Sequence, residues 1–244
     1  MDSGYYAACA GLAAQTQALE LVAHNLANLS TAGYRGERAS FRSLVAGSGQ
    51  VTANPLNAAV NDYGVLGASR LDLASANLTA TGNPLDLGIM GAGFFVVRSG
   101  GGVAYTRNGS FHVTPDGRLV TAQGDAVLGD QGPITLPGGA VAVSGDGTIS
   151  VDGTLVANLR IAEFAGNTVL EPRGDTLYAA PPGSALPPAS SAVRQGMLED
   201  SNVSPVESVV QLINVQRNAE MMQRALSIFD SQFNQTAVQE LPKV

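Results

Sequence analysis

The strongest constraint on the fold is a run of apolar side chains near the C-terminus, spaced alternately by three and four residues. This spacing is the a/d seam of a heptad repeat, which predicts a long helix that packs along a partner helix. Ser204-Pro205-Val206-Glu207 precedes the run as a capping box with proline at the first helical position, so we expect the helix over 205–241. The seam residues are Leu212, Val215, Ala219, Met222, Leu226, Phe229 and Phe233.

A second seam predicts the partner helix, over residues 3–30, with Ser3 as its N-cap and Gly33 as the left-handed residue beyond its end. Between residues 3 and 30 only Glu20 carries a formal charge, and a helix without a charged face is expected to be enclosed on all sides. We assign both seams to an assembly interface, although two ordinary core helices remain an alternative. The N-terminal members of this interface are Tyr5, Cys9, Leu12, Leu19 and Leu26.

Between the helices the apolar period changes to two, and the short alternating runs are separated by Gly-rich, Asn-Gly and Asp-Gly turn signals. This pattern predicts a sandwich or barrel-like β domain. The fold class is therefore α+β, with terminal helices that pair as a coiled coil around a central all-β domain. The predicted strands are 94–98, 103–106, 110–113, 118–121, 134–136, 141–143, 148–151, 155–164 and 176–179.

The same patterns divide the chain into five segments. Residues 1–44 carry the first helix, and with residues 200–244 they form the helical domain. Residues 45–85 are an irregular connecting segment with weak alternation, and residues 86–180 are the β domain. Residues 181–199 are rich in Pro, Gly and Ser, which predicts a stiff connector to the last helix.

Charge and composition limit the partners of this chain. Its net charge is −7, which argues against nucleic acid as the main partner because phosphate binding needs a basic face. Arg35, Arg38 and Arg42 form a small basic cluster, and we expect it to make an intramolecular or subunit contact. No apolar run reaches the length of a membrane span. The start of the sequence has no basic region, so we do not expect a cleaved secretory signal.

We predict no catalytic, cofactor or metal site. The sequence has no Gly-x-Ser-x-Gly elbow and no Walker A motif, and His24 and His112 are isolated. The Asp-Gly pairs that begin at Asp116, Asp146 and Asp152 are irregularly spaced, so hairpin turns explain them better than a calcium loop. A secreted β-domain enzyme such as a glycan hydrolase would need paired carboxylates, and its available candidates, all at predicted turns, are Asp116, Asp125, Asp130 and Asp146.

One motif resembles a known family. The run that contains Asn25, Leu26, Ala27, Asn28, Ser30, Thr31, Gly33 and Tyr34 resembles the N-terminal signature of flagellar rod and hook proteins. Residues 91–95, 105–111 and 117–120 are similar to the central β region of that family, and residues 196–199 and 201–203 to its approach to the C-terminal helix. Because the segment between Phe41 and Gly91 is short, the chain resembles proximal-rod members more than the alternative, a distal-rod or hook-type axial protein.

The resemblance implies a non-enzymatic structural subunit of the flagellar basal-body rod, needed for motility. Such subunits assemble by their terminal helices into a helical axial tube that transmits torque across the periplasm. Their partners are copies of themselves, other rod subunits and the flagellar type III export apparatus, which exports them without a cleaved signal peptide. The resemblance implies no cofactor, no nucleic acid and no membrane span. An alternative of another class is the secreted enzyme or a monomeric binding module whose terminal helices pack only on each other.

Overall fold

The computed structural model describes residues 2–42, 65–166, 168–188 and 190–240. A helix lies at each end of this part of the chain, α1 at Asp2–Ala27 and α2 at Pro205–Glu240. Everything regular between them is β structure. The strands are β1 Glu37–Arg42, β2 Val65–Leu71, β3 Leu78–Ala80, β4 Leu87–Met90, β5 Phe94–Ser99, β6 Gly102–Thr106, β7 Phe111–Val113, β8 Leu119–Thr121, β9 Ala126–Gly129, β10 Gly132–Pro133, β11 Val141–Val143, β12 Thr148–Val151, β13 Thr154–Asn158, β14 Ile161–Phe164, β15 Glu171–Pro172, β16 Leu177–Ala179, β17 Ala185–Leu186, β18 Ala192–Gln195 and β19 Met197–Glu199.

The chain divides into two compact units. The helical unit comprises residues 1–27, 37–70 and 204–244, and the β unit comprises residues 28–36 and 71–203. A mostly β centre between two terminal helices agrees with the α+β class predicted from the sequence. The predicted connector over 181–199 differs from the structure, which places β17, β18 and β19 there. The proline and serine content of this segment is typical of a connector. The three strands have no local signal, because each is short and pairs with a strand distant in sequence.

In the helical unit, α1 packs against α2 and β1. Its buried stripe consists of Gly11, Ala14, Ala18, Val22 and Asn25. This stripe is displaced from the predicted seam, whose members Cys9, Leu12, Leu19 and Leu26 are half-buried. Small side chains allow the closest approach to a neighbouring element, so they lie at the centre of the contact and the leucines lie at its flank.

In α2, the least exposed stripe follows the heptad spacing. Ser208 is buried, and the half-buried residues are Leu212, Val215, Ala219, Met222 and Leu226, whereas every other described side chain between 205 and 228 is exposed. Three members of the predicted interface, Tyr5, Phe229 and Phe233, have side chains outside the described residues.

The start of α2 is capped as the sequence predicts. The Glu207 N–H donates to Ser204 Oγ at 3.4 Å, and the Ser208 N–H donates to the Ser204 carbonyl at 3.0 Å. The Glu207 carboxylate accepts a hydrogen bond from Gln211 Nε2 at 3.2 Å, one turn further along the helix. Ser204 therefore satisfies one of the backbone donors that have no partner within the helix.

Replacing Ser204 with alanine is expected to lower the free energy of unfolding of the helical unit by about 1 kcal/mol, because the N3 amide loses its acceptor. Thermal unfolding followed by far-UV circular dichroism measures this loss. Ser227→Ala is the matched control, since Ser227 Oγ donates only to the Arg224 carbonyl within the exposed middle of α2. Equal stability of the two variants would show that Ser204 does not act as a cap.

The β unit is built on a branched ten-stranded sheet. Its central path runs β15-β16-β6-β5-β9-β8-β7, with β10 on β9, β14 on β5 and β17 on β14. A three-stranded sheet β11-β12-β13 and the pairs β18-β4 and β19-β3 complete the unit. The apolar core is centred on Phe95, Val97, Ala104 and Val127, which have no exposed surface.

Asp-Gly pairs form the hairpin turns of the three-stranded sheet, as predicted. Asp146 Oδ1 accepts the Thr148 N–H at 3.0 Å and Oδ2 accepts the Thr148 hydroxyl at 2.9 Å, and these hydrogen bonds lower the pKa of Asp146. Asp152 and Gly153 have φ of 51° and 81°, which matches the twist of a two-residue hairpin turn. The Asp146 carboxylate is therefore engaged within its own turn.

Candidate functional site

Residues 28–36, the part of the β unit that directly follows α1 in the sequence, begin with a sharp turn. The Thr31 hydroxyl donates to Asn28 Oδ1 at 3.1 Å and its N–H donates to the Asn28 carbonyl at 3.2 Å. The Tyr34 N–H then donates to the Thr31 carbonyl at 3.2 Å. These local bonds are typical of Asn and Thr, whose side chains compete with helical hydrogen bonding. The motif recognised in the sequence thus ends α1 and redirects the chain.

Within the β unit, Gly33 lies directly against the backbone of Arg107 and Asn108. Its φ is +67°, and an added Cβ would lie 2.3 Å from the carbonyl carbon of Arg107 and 2.3 Å from the nitrogen of Asn108. Its N–H donates to the Glu199 carbonyl at 2.7 Å. Only glycine satisfies both the left-handed conformation and the contact with backbone.

A buried charge cluster, formed by Arg35, Arg107 and Glu199, lies next to this contact. Arg35 Nη2 donates to Glu199 Oε1 at 2.7 Å, and Arg107 Nη1 donates to Glu199 Oε2 at 3.0 Å. The Ala76 N–H also donates to Oε1, at 2.8 Å. The three charged side chains are at most 1 % exposed. One carboxylate therefore binds two arginines that lie far apart in the sequence.

The two arginines are held by further contacts. Arg107 Nη2 donates to the Gly91 carbonyl at 2.6 Å, and the guanidinium lies 4.9 Å from the centroid of the Phe94 ring. The Arg35 N–H donates to the Tyr178 hydroxyl at 3.1 Å, and Tyr178 packs edge-on against Phe94. An aromatic pair thus encloses the cluster and excludes water from it.

The buried charge cluster carries an excess positive charge. Burial lowers the pKa of Arg107 to about 10; the attraction of Glu199 raises this pKa, and the repulsion of Arg35 lowers it further. Arg107 is therefore charged at neutral pH. Because this pKa is lower in the folded than in the unfolded chain, the charge of Arg107 opposes folding at every pH below about 10. Within the described residues, Arg35 Nε and Nη1 and Arg107 Nε are buried without a hydrogen-bond partner. Glu199 is therefore the group that makes burial of both arginines tolerable.

Asn202 joins three parts of the chain beside the cluster. Its Oδ1 accepts the Gly36 N–H at 2.7 Å, and its Nδ2 donates to the Asp72 carbonyl at 2.8 Å and the Ala74 carbonyl at 3.1 Å. Its backbone N–H donates to the Tyr34 carbonyl at 3.3 Å. Both chain segments that lead to the terminal helices are thus fixed in one place.

The structure assigns different positions to the residues selected from the sequence. Within the helical unit, Asn25 exchanges two hydrogen bonds with the backbone of Glu37, at 2.8 and 3.0 Å. Ser30 is exposed. Of the basic cluster, which we expected to make an intramolecular or subunit contact, Arg35 makes an intramolecular one with Glu199, and the side chain of Arg42 lies outside the described residues. Glu199 is not among the predicted site residues, although it ends the run 196–199 that resembles the flagellar family in sequence.

The acidic residues proposed for an enzyme do not form a comparable centre. Asp116, Asp130 and Asp146 are exposed, and Asp130 and Asp146 accept hydrogen bonds from neighbouring side chains. In the described ranges, no three His, Cys, Asp or Glu side chains are grouped so as to hold a metal ion. No helix in that part of the chain combines the length and the apolar character needed to cross a membrane.

Three family profiles match the chain in order. One described as "Flagella basal body rod protein" matches residues 6–35, and one described as "Flagellar hook protein FlgE/F/G D1 domain" matches residues 88–156. A third, described as "Flagellar basal body rod FlgEFG protein C-terminal", matches residues 194–239. The first and third ranges include Arg35 and Glu199, and the second includes Arg107.

Full-length relatives show the same similarity. Flagellar basal-body rod protein FlgG of Agrobacterium fabrum is 34% identical over 91% of this chain and 94% of its own length. Flagellar basal-body rod protein FlgF of Caulobacter vibrioides is 33% identical over 100% of both chains. FlgF of Salmonella typhimurium is 34% identical over 94% of this chain and 95% of its own. The similarity therefore extends over both helices and the β unit.

Proposed function

The chain belongs to the flagellar basal-body rod protein family and is a structural rod subunit rather than an enzyme, and on this premise we propose that its terminal helices carry assembly of the rod. Other rod components are its partners, and the basal-body rod is its location. The observation that supports a role of the helices is the exposed apolar surface of α2.

The face of α2 opposite its seam is apolar over the first turns. Val206, Val209, Val210 and Ile213, which we call the valine patch, are 76%, 44%, 52% and 44% exposed. Further along the same face the side chains become charged, with Arg217, Glu220 and Arg224. A contiguous apolar patch bordered by charges is typical of a protein contact surface. We propose that a neighbouring rod subunit covers the valine patch.

The exposed side of α1 fits the same proposal. Its described exposed residues are Ala13, Thr16, Gln17, Glu20, Ala23, His24 and Ala27, of which only Glu20 carries a formal charge. An ordinary surface helix has a charged outer face. Covering this side by adjacent subunits removes it from water, and contacts that repeat without closing generate a helical filament.

We further propose that the seams of α1 and α2 pair as a coiled coil in the assembled rod. The half-buried leucines at Leu12, Leu19 and Leu26 and the α2 residues Leu212 and Met222 are the proposed knobs. We propose that the two helices run antiparallel or as a looped-back pair. The coiled-coil contact would hold the helices together while their outer faces bind neighbours.

Three finer assignments rest on the family resemblance. We propose export through the flagellar type III apparatus without a cleaved signal peptide, and a place in the periplasmic part of the rod. We also propose a proximal rather than distal position, which the short segment between Phe41 and Gly91 favours. The relatives named FlgF and FlgG have nearly equal identity to this chain, so position in the rod is best tested by crosslinking to neighbouring subunits.

Introducing a charge into the valine patch is expected to abolish assembly without unfolding the subunit. In Val210→Asp the new carboxylate stays hydrated in the free chain, but a neighbouring subunit would have to bury it at a cost of several kcal/mol. Concentration-dependent light scattering and swimming of cells that carry the variant measure assembly, and circular dichroism measures folding.

The matched control is Gln216→Asp, which adds the same charge to another exposed position of α2. We expect this control to retain at least most of the assembly. Normal assembly of Val210→Asp would contradict the proposed contact. A wild-type chain that stays monomeric at every concentration, with both helices protected from hydrogen exchange, would instead support the monomeric binding module.

A further inference from the structure

Two chain segments lie side by side in the β unit and run in the same direction. The Gly33 N–H donates to the Glu199 carbonyl at 2.7 Å, and the Asn202 N–H donates to the Tyr34 carbonyl at 3.3 Å. The Gly36 N–H also donates to Asn202 Oδ1, at 2.7 Å. Partner numbers rise together along both segments, so the pairing is parallel. We call residues 33–36 and 199–202 the clasp.

Buried ionic contacts reinforce the clasp. The ion pair between Arg35 and Glu199 joins the two segments directly at 2.7 Å, and both side chains are fully buried. Each segment is also fixed to the rest of the β unit, since the Asp72 N–H donates to the Gly36 carbonyl at 2.8 Å and the Asp200 N–H donates to the Asn77 carbonyl at 2.9 Å. Water has no access to the ion pair, because both of its side chains are fully buried.

We propose that the clasp protects the β unit from tension applied to the ends of the chain. All residues between 37 and 198 lie between the two segments in the sequence. Once tension has separated α1 from α2, which pack against each other, it reaches residues 33–36, passes through the clasp to residues 199–202, and continues to the C-terminus. The strands β3 to β18 therefore carry no tension until the clasp breaks.

The parallel direction of the segments determines how the clasp is loaded. The N-terminal pull acts on the start of residues 33–36, and the C-terminal pull acts on the end of residues 199–202. In a parallel pair these points lie at opposite ends, so the segments are forced to slide along each other. Sliding loads the backbone bonds, the Asn202 amide and the ion pair together, whereas peeling would break them in succession. The clasp acts within a single subunit, so it does not depend on helix-mediated assembly.

Single-molecule pulling on the full chain tests the inference in two geometries. In the first, handles are attached to the two termini of a Cys9→Ser background. In the second, they are attached to Gln123→Cys and Thr154→Cys, two exposed positions that lie between the clasp segments in the sequence. We expect terminal pulling to extend the β unit in one step at the higher force. If terminal pulling extends the β unit in several steps, at forces no higher than those of the internal geometry, the proposal is overturned.

A pair of variants then separates mechanical resistance from ordinary stability. Asn202→Ala removes the bond to Gly36 and also the two bonds to the Asp72 and Ala74 carbonyls. Of these three, only the bond to Gly36 joins the two segments, and its loss is expected to make rupture at fixed terminal force about tenfold faster. Val127→Ala, in the buried core, is the control. The two variants are compared at denaturant concentrations chosen so that both have the same equilibrium free energy of unfolding. We expect the control to change the terminal rupture rate by less than about twofold, and the internal geometry to respond to Val127→Ala instead. Equal effects of the two variants under terminal force would overturn the proposal.

Discussion

The Glu199→Gln variant is expected to lose about 3–5 kcal/mol of the free energy of unfolding of the β unit, which is enough to unfold a marginally stable domain. Glutamine has nearly the same shape as glutamate, so the substitution removes the charge and replaces one acceptor oxygen with a donor NH2 group. Arg35 and Arg107 then remain buried, both positively charged, and without a carboxylate. A buried ion pair adds little to stability when intact, but removal of one partner leaves an uncompensated charge in a medium of low dielectric constant.

Urea unfolding of the full chain, followed by tyrosine fluorescence, measures this loss. The sequence has no Trp and six Tyr, and Tyr178 reports directly because it is buried beside the charge cluster. Glu171→Gln is the control, since Glu171 is exposed on β15 and its replacement should change the stability by less than about 0.5 kcal/mol. If both variants unfold at the same urea concentration as the wild type, the cluster does not hold the β unit together.

Gly33→Ala is expected to cost about 2–5 kcal/mol, by a different mechanism. The left-handed conformation alone costs a residue with a Cβ about 1–2 kcal/mol. The new methyl group must also displace the backbone of Arg107 and Asn108, from which it would lie 2.3 Å, and overpacking of this kind costs about 1–3 kcal/mol.

Gly82→Ala separates the two contributions. Gly82 has φ of +75° and nothing within 4 Å of an added Cβ, so this variant should show only the conformational cost of about 1–2 kcal/mol. Chemical denaturation of the two variants under the same conditions gives the difference. A Gly33→Ala variant no less stable than Gly82→Ala would mean that the backbone contact at Arg107 relaxes freely.

The sequence predicts the regular parts of this fold because their signals are local. Heptad spacing and the Ser204 cap predict α2 and its start at Pro205, and turn residues predict the hairpins at Asp146 and Asp152. The strands β18 and β19 escape prediction because each pairs with a strand more than a hundred residues earlier. Their stability comes from those partners rather than from their own composition.

The candidate site is predicted only in part, for a related reason. The motif from Asn25 to Tyr34 is visible in the sequence because its turns are local. Arg35 was expected to make an intramolecular or subunit contact, but nothing near it identifies its partner, since Glu199 lies 164 residues later. The buried stripe of α1 also departs from the predicted seam, because the helix approaches its neighbour through Ala14 and Ala18 rather than through its leucines. Such choices depend on tertiary packing.

The position of Glu199 in the chain has a consequence for the order of folding. A polypeptide that emerges with its N-terminus first presents Arg35 and Arg107 long before their shared carboxylate, which follows them by 164 and 92 residues. The strands β3 and β4 likewise precede their pairing partners, β19 and β18, by more than a hundred residues. Closure of the β unit is therefore a late event of high contact order, and such events are slow. Until residues 192–199 have been added to the chain, the two arginines lack their carboxylate, and β3 and β4 lack their strand partners.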